Sequence, residues 1–183
     1  MSTPLPSTDR LGTLSETSDG WQLRFVRHLD RPPSVVWRAF TDPELRSKWF
    51  PDTMVGDLVV GNSLEFRHEG MDIQPFRGEV LEVVEPNRLV FTWGDDLLRF
   101  EFAESGSGTE LTMTVGFTEQ GKAARDGAGW HECLDNLVKL LASDPERVEA
   151  DTWATIHPAY VERFGPAAST IGPPQEYLDA QQG

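Results

Sequence analysis

Between residues 54 and 117 the chain repeats one pattern: apolar residues at every second position, then a turn, then alternation again. Leu64, Phe66 and His68 share one side of the stretch from Ser63 to Glu69, and Glu65, Arg67 and Glu69 share the other. A period of two is what a strand with one buried face requires. Phe76 to Val84 reads as a strand, and so does Arg88 to Trp93, with Leu89, Phe91 and Trp93 on one side. Leu98, Phe100 and Phe102 line the next strand, and Leu111, Met113, Val115 and Phe117 line the last. Gly61-Asn62, Gly70-Met71-Asp72, Glu85-Pro86-Asn87, Gly94-Asp95-Asp96 and Ser105-Gly106-Ser107-Gly108 supply the turns. Strands joined by such short turns are antiparallel neighbours, so this segment is a meander with one face to bury.

The flanks say what covers that face. Residues 21 to 30, WQLRFVRHLD, form a first strand with Trp21, Leu23, Phe25, Arg27 and Leu29 on one side, ended by Arg31-Pro32-Pro33. Ser34 reads as the cap of a short helix carrying Val35, Val36, Trp37, Ala39 and Phe40. A residue before proline avoids the helical region, so Asp42 ends that helix, and it caps a second one beginning at Pro43. The second helix carries Leu45, Trp49 and Phe50 and stops at Pro51. After the meander, Trp130, Leu134, Leu137, Leu140 and Leu141 recur at helical spacing, which predicts a long helix ending near Ser143. Glu132, Asp135 and Lys139 are expected on its opposite face, with His131 turned away from the stripe. This order predicts an α+β fold: a curved antiparallel sheet of about six to seven strands wrapped around a long helix, with two short helices after the first strand. A deeply curved sheet and one helix leave space between them, and a pocket is expected there.

The ends read differently. Residues 1 to 19 are rich in Ser, Thr and Pro and are expected to be a disordered lead-in to a domain spanning 20–143. Residues 144–183 form a helical extension and tail. Asp144 caps a restart at Pro145, and Trp153, Ile156, Tyr160 and Phe164 continue an apolar stripe, with Pro158 kinking or splitting that helix. The stripe either covers the chain's own pocket mouth or forms a homodimer. The last residues, from 165 to 183, are expected to dock loosely at most.

Charge and motifs narrow the function. A formal net charge of −14 disfavours nucleic acid and acidic lipid surfaces as partners. No apolar run is long enough for a membrane span, and the N-terminus lacks a signal-peptide pattern. The single cysteine, Cys133, excludes an intramolecular disulfide and fits a cytoplasmic location. His28, His68, His131 and His157 show no metal-ligand spacing, so no metal is expected, and no cofactor loop or nucleophile motif is present. Cys133 reads as a small buried hydrophobe, and Gly127-Ala128-Gly129 as close helix–sheet packing. Arg27 sits among apolar neighbours and needs a partner, either an internal acid such as Glu82 or the acidic headgroup of a ligand.

Several stretches together resemble a known family. RPPSVVWRAFTDPELRSKWF is similar to its proline-led helix, Thr-Asp-Pro and Trp signature. FRGEVLEVVEPNRLVFTW resembles its central strand-turn-strand. GTELTMTVGF and GAGWHECLDNLVKLLA resemble its last strand and Gly-Trp helix. The family is the domain named for the activator of the Hsp90 ATPase, within the START-like helix-grip (Bet v 1-like) superfamily, and the resemblance covers residues 20 to 143. It implies a cavity between helix and sheet. Members of the superfamily bind hydrophobic molecules, some are cyclases or hydrolases, and a related domain stimulates the Hsp90 ATPase. Fold alone does not choose among these. The expected ligand-binding set is Trp49, Phe50, Phe66, His68, Phe76, Phe91, Trp93, Phe100, Met113, Phe117, Trp130 and Leu134, with Trp49 near the mouth. The plain reading of these aromatics is core packing, and of His68 a strand-end residue exposed or bonded to backbone. Its functional reading is a polar anchor or general base. Binding of a small hydrophobic molecule leads, ahead of a cyclase or hydrolase and a chaperone-related interaction module. No catalytic residue is assigned.

Overall fold

A computed structural model describes residues 10–173. The chain runs β1 (Thr13–Thr17), β2 (Gly20–Leu29), α1 (Pro33–Thr41), α2 (Pro43–Arg46), β3 (Thr53–Val55), β4 (Ser63–Arg67) and β5 (Phe76–Val84). It continues through β6 (Arg88–Trp93), β7 (Asp96–Ser105), β8 (Gly108–Phe117), α3 (Ala123–Leu141) and α4 (Trp153–Phe164). The strands form one antiparallel sheet in the order β1-β2-β8-β7-β6-β5-β4-β3. The architecture is the expected α+β helix-grip fold, a curved open sheet around a long helix, with eight strands rather than six or seven.

The extra edge strand lies inside the expected disordered lead-in. Thr13–Thr17 is polar and mostly exposed, so it carries no apolar period to read, and its backbone pairs with β2 from Thr13 opposite Arg24 to Thr17 opposite Gly20. Residues 1–9 of that lead-in lie outside the described residues.

The helical joint forms for a mixture of foreseen and unforeseen reasons. Asp42 caps α2 as expected, its Oδ1 accepting the Glu44 N–H at 2.9 Å. The cap position of α1 is Pro32, without a side-chain bond, so Ser34 does not cap it. Trp37 packs edge-on against Phe102 of β7 and fastens α1 to the sheet. Arg46, only 5% exposed, donates to the Phe40 carbonyl at 2.9 Å and locks the end of α1 onto α2.

The long helix α3 is buried on two sides rather than one. Its Trp130, Leu134 and Leu137 enter the core, while His131 and Asp135 are also buried, beneath α4. His131 and Asp135 lie away from the Trp130 stripe as expected, and the C-terminal extension buries that face. Tyr160 of α4 is fully buried, and a Cβ added at Gly127 would lie 3.0 Å from its ring. Gly127 thus serves helix–helix rather than helix–sheet contact. Pro158 sits inside α4 without splitting it. Asp144 makes no side-chain cap at the short 3-10 turn that follows it, and Thr152 caps α4 instead. The segment after α4 docks more firmly than expected: Ala168 is buried and the Ile171 N–H donates to the Gly121 carbonyl at 3.0 Å. The part of the expected tail beyond residue 173 lies outside the described residues.

A polar network ties these parts together. Arg10 reaches Asp135 at 2.7 Å and Asp151 at 2.9 Å, and Arg27 Nε lies 3.3 Å from Asp135. His131 Nε2 lies 3.1 Å from Asp151, and its Nδ1 is 2.9 Å from the Tyr160 hydroxyl, which accepts the Gly12 N–H at 2.8 Å. Arg27 is therefore paired with Asp135, not Glu82, which pairs with Arg88 at 2.9 Å. Burial by itself would raise the Asp135 carboxyl. Hydrogen bonding and charge from His131, the Asp151 N–H and Arg27 outweigh it and hold the carboxyl below its ordinary value.

Removing one member of a buried ion pair costs on the order of 3–5 kcal/mol, because the other charges stay buried. Asp135→Ala is expected to lower unfolding stability by about that much in urea titration. The sign with pH follows from the depressed carboxyl. Its stabilisation is complete above the unfolded value of about 3.9 and is lost as pH falls from there through the lower folded value. Asp135→Asn should remove that component of the acid slope, read from stability measured at a series of pH values.

Candidate functional site

A cleft of about 550 Å³ opens at one end of the sheet, beside α3. The core under the middle of the sheet is solid. Phe66, Phe91, Phe100, Met113, Phe117 and Leu134, all in the expected binding set, are at most 5% exposed and fill that core. Trp49, Phe50, His68, Phe76, Trp93 and Trp130, the other half of the set, line the cleft. Trp49 is a wall residue with little free surface. It is 3% exposed, its indole N–H donates to the Ala39 carbonyl at 2.8 Å, and its ring packs on Phe40.

The apolar wall is a chain of rings. Phe76 meets Trp93 edge-on with centroids 5.3 Å apart, Trp93 meets Trp130 at 5.2 Å, and Trp130 meets Phe50 at 5.7 Å. The first two contacts are edge-to-face, an orientation that aromatic pairs prefer, and the third is tilted. β5, β6, α3 and the stretch after α2 each supply one ring, so the wall exists only once the sheet has closed on the helix.

Polar groups enter the same cleft. His68 stands just past β4, its side chain 30% exposed, with Nδ1 2.7 Å from Asp52 Oδ1. The other Asp52 oxygen accepts the Trp93 indole N–H at 2.8 Å. The Asp52 side chain is 1% exposed. His68 is thus bonded to a side chain, not to backbone. Asp52 carried no readable signal: it follows Pro51 where the helical pattern has ended, and its partners lie 16 and 41 residues away. On the α3 side, Lys122 holds both oxygens of Asp96, at 2.6 and 2.7 Å, and also Asp126 at 3.3 Å. Burial pushes the Asp96 carboxyl up, and the Lys122 contacts offset part of that. Cys133 also lines the cleft, and burial pushes its thiol well above the ordinary range.

The C-terminal extension completes the rim. Trp153 and Pro173 both line the cleft, and Trp153 donates from its ring nitrogen to the Arg125 carbonyl at 3.0 Å. Ile156 and Tyr160 of the same stripe are fully buried within the chain, so they are not available to a second copy. His131, Asp135 and Asp151 bring ligand-type atoms within 4.8 Å of one another, a cluster hidden from sequence patterns by the fold. Arg10 and Arg27 already sit on its carboxylates.

Residues 30–142 match the family model described as activator of Hsp90 ATPase homolog 1-like protein. The chain belongs to this family. Solved structures agree on the fold. The conserved protein of unknown function EF2215 from Enterococcus faecalis superposes with a TM-score of 0.69 at 20% identity, covering 83% of this chain and 89% of that one. CalU16 from Micromonospora echinospora gives 0.64 at 24% identity, covering 85% and 96%. The AHSA1-like protein from Aeromonas hydrophila gives 0.56 at 25% identity, covering 65% and 90%. A search of curated proteins found no match. Among the described residues no helix is long and apolar enough to cross a membrane.

The raised thiol makes Cys133 a poor nucleophile even though it borders the cleft. In the folded protein it should react with a small thiol reagent at least about tenfold more slowly than in urea, where the thiol returns to its ordinary range near 8.5. Stopped-flow thiol titration in the two solvents checks this.

Proposed function

We propose that the protein binds a small, largely aromatic molecule in the cleft between α3 and the end of the sheet. The observation that carries this reading is the ring wall of Phe50, Phe76, Trp93 and Trp130 around an open volume of about 550 Å³. That volume falls in the range of small-molecule sites, and a cleft with an apolar wall and a few convergent polar groups is the usual form of one. Membership of this family is compatible with a ligand-binding module and with one of the Hsp90-ATPase-activator type. The cleft favours the first. The lone Cys133 fits the expected cytoplasmic setting.

A second reading, an enzyme acting on a hydrophobic substrate, draws support from the Asp52–His68 pair facing the cleft. It lacks an activated nucleophile among the lining residues. The Cys133 thiol is pushed up by burial, and the Ser47 hydroxyl donates to the Glu44 carbonyl at 2.7 Å. A hydrolase here would need His68 to activate a water.

Gly129 offers a clean test. It lies on α3 against the cleft, and a Cβ there would meet only Trp153, at 3.9 Å. Gly129→Leu should intrude on the cleft without harming the helix, because leucine is the better helix former by roughly 0.5–1 kcal/mol. The expected outcome is saturable binding of naphthalene-type probes by the native protein, read by tryptophan fluorescence, and its loss in a variant of equal or higher stability. Undiminished binding to Gly129→Leu would place the ligand elsewhere.

A further inference from the structure

The hydrogen bonds of Asp52 dictate the chemistry of the cleft beyond its shape. Its Oδ2 accepts the Trp93 indole N–H at 2.8 Å, and its Oδ1 faces His68 Nδ1 at 2.7 Å. A carboxylate only accepts, so His68 carries a proton on Nδ1. In the neutral ring, Nε2 is then a lone pair. His68 is the residue of this pair that reaches the cleft surface, with a side chain 30% exposed against 1% for Asp52. The opposite ring nitrogen is therefore the one left for an occupant.

We propose that the Asp52–His68 pair makes Nε2 a fixed hydrogen-bond acceptor and that the cleft takes aromatic molecules bearing a hydroxyl donor, of the phenol or enol class. This rests on the ligand-binding reading above. The ring wall supplies affinity for the aromatic body, and Nε2 supplies the preference for a donor. Burying a hydroxyl without a partner, or leaving Nε2 facing an ether, loses that bond, and one neutral hydrogen bond corresponds to a preference of roughly tenfold.

The same geometry yields a variant that should reverse the logic. An indole N–H can only donate, so in Asp52→Asn the amide oxygen must face Trp93. The amide nitrogen then points at His68 Nδ1 and donates to it. That moves the ring proton to Nε2 and turns the acceptor into a donor. In the serine-protease triad a carboxylate-to-amide change behind the histidine likewise selects the other tautomer.

The experiment compares 2-naphthol with its methyl ether by fluorescence titration at about pH 8.5. The native protein should prefer 2-naphthol by about tenfold. In Asp52→Asn the ratio should fall to about one, and in His68→Phe, which keeps an aromatic ring but no nitrogen, it should do the same. Long-range ¹H–¹⁵N spectra should show the Nδ1–H tautomer in the native protein and Nε2–H in Asp52→Asn. If both probes bind the native protein equally, or its spectrum shows Nε2–H, the proposal is overturned while the ligand-binding reading stands. If neither probe binds, the ligand-binding reading fails and the proposal fails with it. His68→Phe and the native spectrum decide the matter even if Asp52→Asn does not fold.

Discussion

A single buried carboxylate, Asp135, holds the two halves of the molecule in register. It accepts from Arg10 ahead of the first strand, lies against Arg27 of β2, and receives the N–H of Asp151 ahead of α4. Three segments far apart in sequence therefore meet on one side of α3. Each of these charges lies within 3.3 Å of an opposite one, although Arg10 Nε and Arg27 Nη2 make no hydrogen bond among the described residues, and the arrangement leaves little freedom in where α4 lies. With α4 pinned, Trp153 and Pro173 reach the rim of the cleft. A polar network on one face of α3 thus shapes the apolar cleft on another.

The cleft itself follows from how aromatic volume is distributed. Phe91 packs on Phe66 at 6.1 Å and on Phe100 at 5.9 Å under the sheet centre, and all three rings are buried there. Toward the cleft Phe76 meets Trp93 and Trp93 meets Trp130 edge to face instead, and Met71 and Ile73 line the gap beside them. Asp52 sits where these regimes meet. It accepts the indole N–H of Trp93 and at the same time orients His68. Packing and polarity in the cleft are coupled through that residue.

Much of the sheet was readable because strands such as β7 and β8 alternate between a buried and a wetter face. β6 runs from Arg88 to Trp93 as expected, although Val90 on its other side is buried too, and the inward set Leu111, Met113, Val115 and Phe117 on β8 is buried. β1 was not readable, since its five residues are nearly all exposed and its place is set by backbone pairing alone. On α3 the Trp130–Leu134–Leu137 stripe was plain, yet the burial of His131 and Asp135 depends on α4, which no local period reports. The site divides the same way. Its large rings announced themselves by size, but whether a ring borders the cleft or fills the core is a matter of packing: Phe76 and Phe66 stack on each other, and only Phe76 reaches the cleft. Asp52 was invisible because its meaning lies in contacts with β6 and the turn after β4.

The central claim is that the ring wall accepts a small aromatic guest. The most direct measurement follows the tryptophan indole N–H signals in a ¹H–¹⁵N spectrum while a naphthalene probe is added. Trp93 and Trp130 should shift saturably to a common dissociation constant, while Trp37, packed on Phe102 within the core, stays still. Signals from Trp93 and Trp130 that do not move, or move only in linear proportion to added probe, would contradict the account.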